Sequence, residues 1–234
     1  RGAAGVPRER AARLDAPAIL NHVSRLVIDP NRRPGSETSI PEISDGCVVP
    51  GNQGLDRTAV VERVLRYFLP YHRTIARHIA AFRRRGEVPA VIAVHSFTPR
   101  LNGEDRPWQV GVLWRGDTRL AAPVLAALRA RGDLVVGDNQ PYSGLREFGF
   151  TVQFHAQRPR LPHVMFELRQ DEIATGPDAL RYAEILHEVL APALATPGLH
   201  TIYEGENLDR AGGLLSWRHA VGGSPLGTIA SPTR

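Results

Sequence analysis

The chain has 234 residues, 42% of them hydrophobic, which suits one α/β domain with a real core. No run of roughly 18 apolar residues occurs, so no transmembrane helix is expected, and the opening RGAAGVPRERAARLD lacks the apolar core of a secretory signal. A formal charge of +5 would suit a nucleic-acid partner, yet all 29 basic residues are arginine and they are scattered rather than gathered on one face. The densest run, Arg83-Arg84-Arg85, closes a predicted helix, where cations complement the helix dipole. The missing lysine reads as the coding bias of GC-rich DNA, and neither nucleic acid nor membrane is expected as a partner. The single cysteine, Cys47, excludes an intrachain disulfide and makes a reducing cytoplasm the expected compartment.

Along the chain, residues 1–14 show no clear period and read as a loose lead-in. Residues 16–23 read as a short strand, followed by a turn at Asp29-Pro30-Asn31 and a long Gly/Pro/Ser-rich loop over 34–54. Residues 57–68 place Val60, Val61, Val64, Leu65 and Phe68 at helical spacing. Pro70 kinks that helix or opens a new one, which continues to residue 85 and stops at Gly86. Strands are expected over 90–95 and 110–114, a helix over 118–131 ended by Gly132, and a short strand over 133–137. Residues 150–155 alternate like a strand, 163–168 form a nearly all-apolar strand, and 177–193 form a helix with Leu180, Ala183, Leu186 and Leu190 on one face. From 198 to 234 the pattern dissolves into an irregular tail. Strands alternating with helices predict an α/β fold, a mixed central sheet flanked by helices, in a single domain over residues 15–197.

Polar residues cluster where apolar strands end, the edge at which open α/β sheets hold ligands. VIAV runs straight into His95, a metal ligand or a structural imidazole on residue type alone. Glu167 lies in the apolar run HVMFELRQD; burial would raise its pKa and suit a general base, and the alternative is a buried ion pair with Arg169 or another arginine. In IDPNRRPG, Asn31, Arg32 and Arg33 beside Asp29 could fork a carboxylate or form a solvated turn. Asp138, Asn139, Tyr142 and Ser143 follow LVVG as a site loop or a turn, and His155 reads as a half-buried core residue. Ser96 and Cys47 have no GxSxG elbow, and no phosphate-binding glycine loop occurs.

Taken in order, SRLVIDPNR, VIAVHSFTP, RPWQVGVLW, VGDNQPYS and HVMFELRQDEI resemble the N-formylglutamate amidohydrolase family over about residues 15–192. The resemblance implies a zinc-dependent hydrolase with a fold similar to metallo-carboxypeptidases and aspartoacylases. Such an enzyme cleaves N-formyl-L-glutamate to formate and glutamate in histidine breakdown, and some relatives act on other N-acyl amino acids. On that basis His95 is expected to ligate zinc and Glu167 to be the general base. Asn31 and Arg32 are expected to clamp the substrate carboxylate, and Asp138, Asn139 and Tyr142 to line the pocket. The partner is then a small anionic N-acyl amino acid. Neither the family's early His-containing motif, which supplies a zinc ligand, nor a further acidic ligand has a counterpart ahead of SRLVIDPNR, so the chain reads as truncated and its ligand set as incomplete. The competing expectations are an inactive remnant or non-enzymatic binding protein, and a different deacylase on the same scaffold.

Overall fold

In the computed structural model, which describes Val6, residues 16–144 and residues 149–205, the long loop after Pro34 holds only a small hairpin, β1 (Ile43–Ser44) against β2 (Cys47–Val48). Helix α1 (Arg57–Arg63) is capped by Asp56, whose carboxylate accepts from the Ala59 N–H. A π-helical turn, Val64–Phe68, joins it to α2 (Leu69–Arg84). The turn coincides with Pro70, which cannot donate to the carbonyl four residues back, so the helix continues across a locally widened turn rather than stopping. Gly86 ends the helix in the left-handed region at φ 77°.

Strand β3 (Val91–Phe97) follows, then a small hairpin of β4 (Arg100–Leu101) and β5 (Glu104–Asp105), and then β6 (Val110–Leu113). Helix α3 (Ala121–Arg131) stops at Gly132, φ 73°, as predicted from that glycine, and leads to β7 (Val136–Asp138). Residues 150–155 form no strand. They make a helical turn, α4 (Phe150–Val152), running into a π-helical turn, Gln153–Gln157. Alternation was misleading there because an aromatic cluster holds the segment: Phe150 and Phe154 stack at 5.3 Å, and Phe150 meets Phe68 at 5.4 Å. Residues 16–23 likewise form no strand. Strand β8 (His163–Arg169) and helix α5 (Gly176–Leu194) complete the order. A capping box between Thr175 and Asp178 starts α5. Its buried stripe contains Tyr182, Ala183, Leu186 and Leu190, whereas Leu180 is exposed.

The main sheet has the order β3–β8–β6–β7, with β3 parallel to β8, β6 antiparallel to β8 and β7 parallel to β6. It is the mixed, helix-flanked sheet expected from the alternating elements. Side-chain alternation gives the sheet two faces. Val110, Val112, Val164, Phe166 and Leu168 face α3 and α5 in the larger core. Leu113 and Met165 face the other way, packing with Val152, Ala156 and Leu161. Val6, from the predicted loose lead-in, is fully buried in the larger core. The expected irregular tail lies outside the described residues beyond residue 205. No helix among the described residues is long and apolar enough to cross a membrane.

Candidate active site

Parallel pairing puts His95 of β3 directly beside Glu167 of β8, and antiparallel pairing puts Gly111 of β6 on the other side of Glu167. Adjacent strands lie about 4.8 Å apart, so imidazole and carboxylate share one face near the C-terminal ends of two parallel strands. Both line a long open cleft that also runs beside the outer edge of β3.

Glu167 is only 6% exposed, and its Oε2 has no hydrogen-bond partner among the described residues. Desolvation pushes its pKa up to about 8, against the opposing pull of Arg106, then Arg25 and Arg32. The ion pair considered with Arg169 does not form: that guanidinium binds Asp171 at 2.8 Å and Glu172 at 3.1 Å. Burial likewise lowers the pKa of His95, with Asp29 opposing and Arg25 and Arg32 adding to the effect. A neutral imidazole beside a carboxyl that titrates near neutral pH is an acid–base pair suited to moving protons.

The Asp29–Arg32 turn faces this pair and is held from several directions. Asp29 Oδ1 accepts from the Asn31 N–H at 2.8 Å, and Oδ2 pairs with Arg25 at 3.1 Å. Asn31 ties the turn to α4: its Oδ1 accepts from the Thr151 N–H, and its carbonyl accepts from the Phe150 N–H. Gly149 is required beneath it, because a Cβ there would lie 2.2 Å from Asn31 Nδ2. From α2, His72 Nε2 donates to the Pro30 carbonyl at 2.9 Å, which leaves Nδ1 to accept from His155 Nε2 at 2.9 Å. This buried imidazole pair is structural, so His155 supports the turn from the core, and burial takes both pKa values down to about 4.

Asp138, Asn139 and Tyr142 line the same cleft. The first two use their side chains to shape the loop. Asp138 accepts from Trp114 Nε1 at 2.8 Å and from Arg129 at 3.1 Å. Asn139, in the left-handed region at φ 51°, accepts from the Trp114 and Gly144 N–H groups. Tyr142 packs against the core cluster that includes Leu113 and Met165 on the Glu167 face of the sheet. The loop approaches so closely that a Cβ on Gly111 would lie 2.0 Å from the Gln140 carbonyl oxygen and 3.3 Å from Glu167 Cβ. Gly111→Ala is therefore expected to cost about 1–3 kcal/mol in urea unfolding, as overpacked cores do, and to shift the amide resonances of residues 138–144.

Ser96 alternates to the face opposite His95, and Cys47 is exposed in the β1–β2 hairpin, so neither joins the pair. His163 is buried, with Nδ1 bonded to the Leu161 carbonyl at 2.8 Å. Arg25, Arg106 and His72 are the side chains that sequence reasoning passed over. The four-residue spacing from Arg25 to Asp29, and the position of Arg106 at the head of RPWQVGVLW, were the available signals. Among the described residues no three His, Cys, Asp or Glu side chains converge on a point where a metal could bind. A zinc hydrolase site takes three protein ligands, so the described residues do not by themselves fit one.

An α/β sheet carrying a desolvated carboxyl and an imidazole at its strand ends, in a cleft under the influence of arginines, is suited to acid–base chemistry on a bound anion. The chain belongs to the N-formylglutamate amidohydrolase family, whose sequence profile matches residues 2–174. Among solved structures, a gene product of Agrobacterium tumefaciens is 34% identical, covering 83% of this chain and 77% of that one, with a TM-score of 0.77. The N-formylglutamate amidohydrolase of Ralstonia eutropha is 20% identical, covering 70% of this chain and 74% of that one, with a TM-score of 0.43. No curated protein matches the chain.

Proposed function

We propose that this chain hydrolyses N-formyl-L-glutamate, or a related N-acyl amino acid, with Glu167 as the general base. The observation that carries the reading is the buried carboxyl of Glu167, with an oxygen that no described residue satisfies, in the wall of a cleft beside His95. With a pKa near 8 only the ionised minority of Glu167 takes a proton from water at pH 7, but that minority is a strong base for a carboxylate, and the acid it forms can return the proton to a departing nitrogen. Arg25, Arg32 and Arg106 make the surroundings electropositive, which favours a small dianion over a neutral acyl compound. The reaction would be the deformylation step of histidine breakdown, in the cytoplasm. Zinc enters this proposal through His95 alone. Without a second and third ligand among the described residues, no step is assigned to it.

The Asp29–Arg32 turn, fixed to α4 through Asn31, aims Arg32 at the cleft as the carboxylate clamp. Arg32→Ala is expected to raise KM about tenfold for N-formyl-L-glutamate and much less for N-formyl-L-leucine, measured by initial rates. Equal effects on the two substrates would remove the clamp. The proposal as a whole is tested by formate release from N-formyl-L-glutamate by the purified chain, with and without added zinc, against a panel of N-acyl amino acids. Release is the expected result. A folded sample that releases nothing under either condition would support the non-catalytic reading.

A further inference from the structure

Arg106 stands out among the cations around Glu167. It exerts the strongest charge effect on that carboxyl, yet it forms no ion pair with a carboxylate among the described residues. Its backbone N–H is fixed to the Pro99 carbonyl at 2.8 Å. Its guanidinium lies 4.9 Å from the centre of the Tyr142 ring and 5.9 Å from that of Phe97. From there Nη1 donates to the Tyr142 hydroxyl oxygen at 3.1 Å.

That contact has a directional consequence. A guanidinium has no acceptor, so the phenolic hydrogen of Tyr142 must point to another atom. No described residue receives it, and Tyr142 lines the cleft with Glu167, packed against the cluster on the same sheet face. A hydroxyl that accepts from a cation is also a stronger donor. We propose that the Tyr142 O–H is a catalytic donor to the oxyanion that forms on the substrate carbonyl, and that Arg106 is the positioning residue that aims it. This inference rests on the hydrolytic reading above.

The step balances with groups already named. Glu167 takes a proton from water as the water oxygen bonds to the acyl carbon. The carbonyl π pair moves to oxygen, where Tyr142 stabilises it. When that pair returns, the C–N bond breaks, and the nitrogen takes the proton that Glu167 holds. Donors of this kind act on charge present only in the transition state, so their loss lowers kcat with little effect on KM.

The test is a kinetic cycle on formate release, with thermal midpoints matched to wild type. Tyr142→Phe is expected to lower kcat about 10²-fold and change KM less than about threefold. Arg106→Gln is expected to lower the alkaline plateau by a similar factor. It also moves the rising limb to higher pH, because a cation near Glu167 is lost. In the Tyr142→Phe background, Arg106→Gln should lower the plateau less than about twofold. Arg106→Lys keeps the charge but not the planar fork, so it should restore the limb and not the plateau. Should Tyr142→Phe fail to fold, 3-fluorotyrosine at position 142 keeps the shape and changes the phenol acidity, and it should change the plateau. An unchanged kcat in Tyr142→Phe or the fluorinated protein, an effect confined to KM, or full additivity of the two losses would each overturn the assignment. A wild-type protein that hydrolyses no N-acyl amino acid would instead remove the hydrolytic reading, and the donor role with it.

Discussion

Glu167→Gln is expected to reduce turnover at least 10³-fold, to the floor of the formate assay, with the fold intact. General acid–base catalysis by a positioned side chain typically contributes 10²–10⁴-fold, and here one group is asked both to take and to return the proton. The substitution is unusually clean at this site. With a pKa of about 8, the wild-type carboxyl is mostly neutral at pH 7, so a neutral amide of the same shape replaces a group that was already neutral. Wild-type activity should rise with pH through about 8, as the base ionises, and the variant should show no such limb. Activity that survives the change would assign the base elsewhere.

The central sheet was legible because β3, β6 and β8 are apolar runs too short for a helix, with abrupt polar ends. Helix stops at Gly86 and Gly132 were legible from the residue that left-handed backbone favours. Residues 150–155 were misread because period-two alternation cannot report that Phe150 meets Phe68 and His72, aromatic contacts made from a distant helix.

The site divided along the same line. Strand register follows from pattern, so placing His95 and Glu167 at strand ends was enough to suggest that they belong together. What holds them was not legible, because it is long-range. His72 supports Pro30 across 42 positions, and Arg106 bonds Tyr142 across 36. The alternative partner for Glu167, Arg169, was near in sequence but is taken by Asp171 and Glu172. Arg169 shares the sheet face of Glu167, but the acidic residues just past the end of β8 take its guanidinium.

The same buried groups predict a peaked dependence of stability on pH. His72 and His155 have folded-state pKa values of about 4, below the ordinary 6.5, so between those values the unfolded chain binds more protons. Their contribution therefore grows as pH rises from 4 to 6.5, and is lost as pH falls through that window, by on the order of 3 kcal/mol per imidazole. The lowered pKa values of His95 and His163 act in the same direction. Glu167 acts in the opposite one: its folded value of about 8 lies above the ordinary 4.5, so the folded chain binds more protons and stability falls as pH rises between them, by about 5 kcal/mol at most. From 4.5 to 6.5 the histidines outnumber the single carboxyl and stability climbs; above 6.5 only the carboxyl term is left and stability declines toward pH 8. Urea unfolding from pH 4 to 9 should show a maximum near 6.5. Glu167→Gln should remove the alkaline decline and leave the acid limb, whereas His72→Gln, which still offers Pro30 a donor, should make the acid limb shallower, since His155, His95 and His163 still contribute to it, and leave the alkaline decline. A wild-type profile that is flat across the range would mean that neither the imidazole pair nor Glu167 is desolvated as the cleft geometry requires.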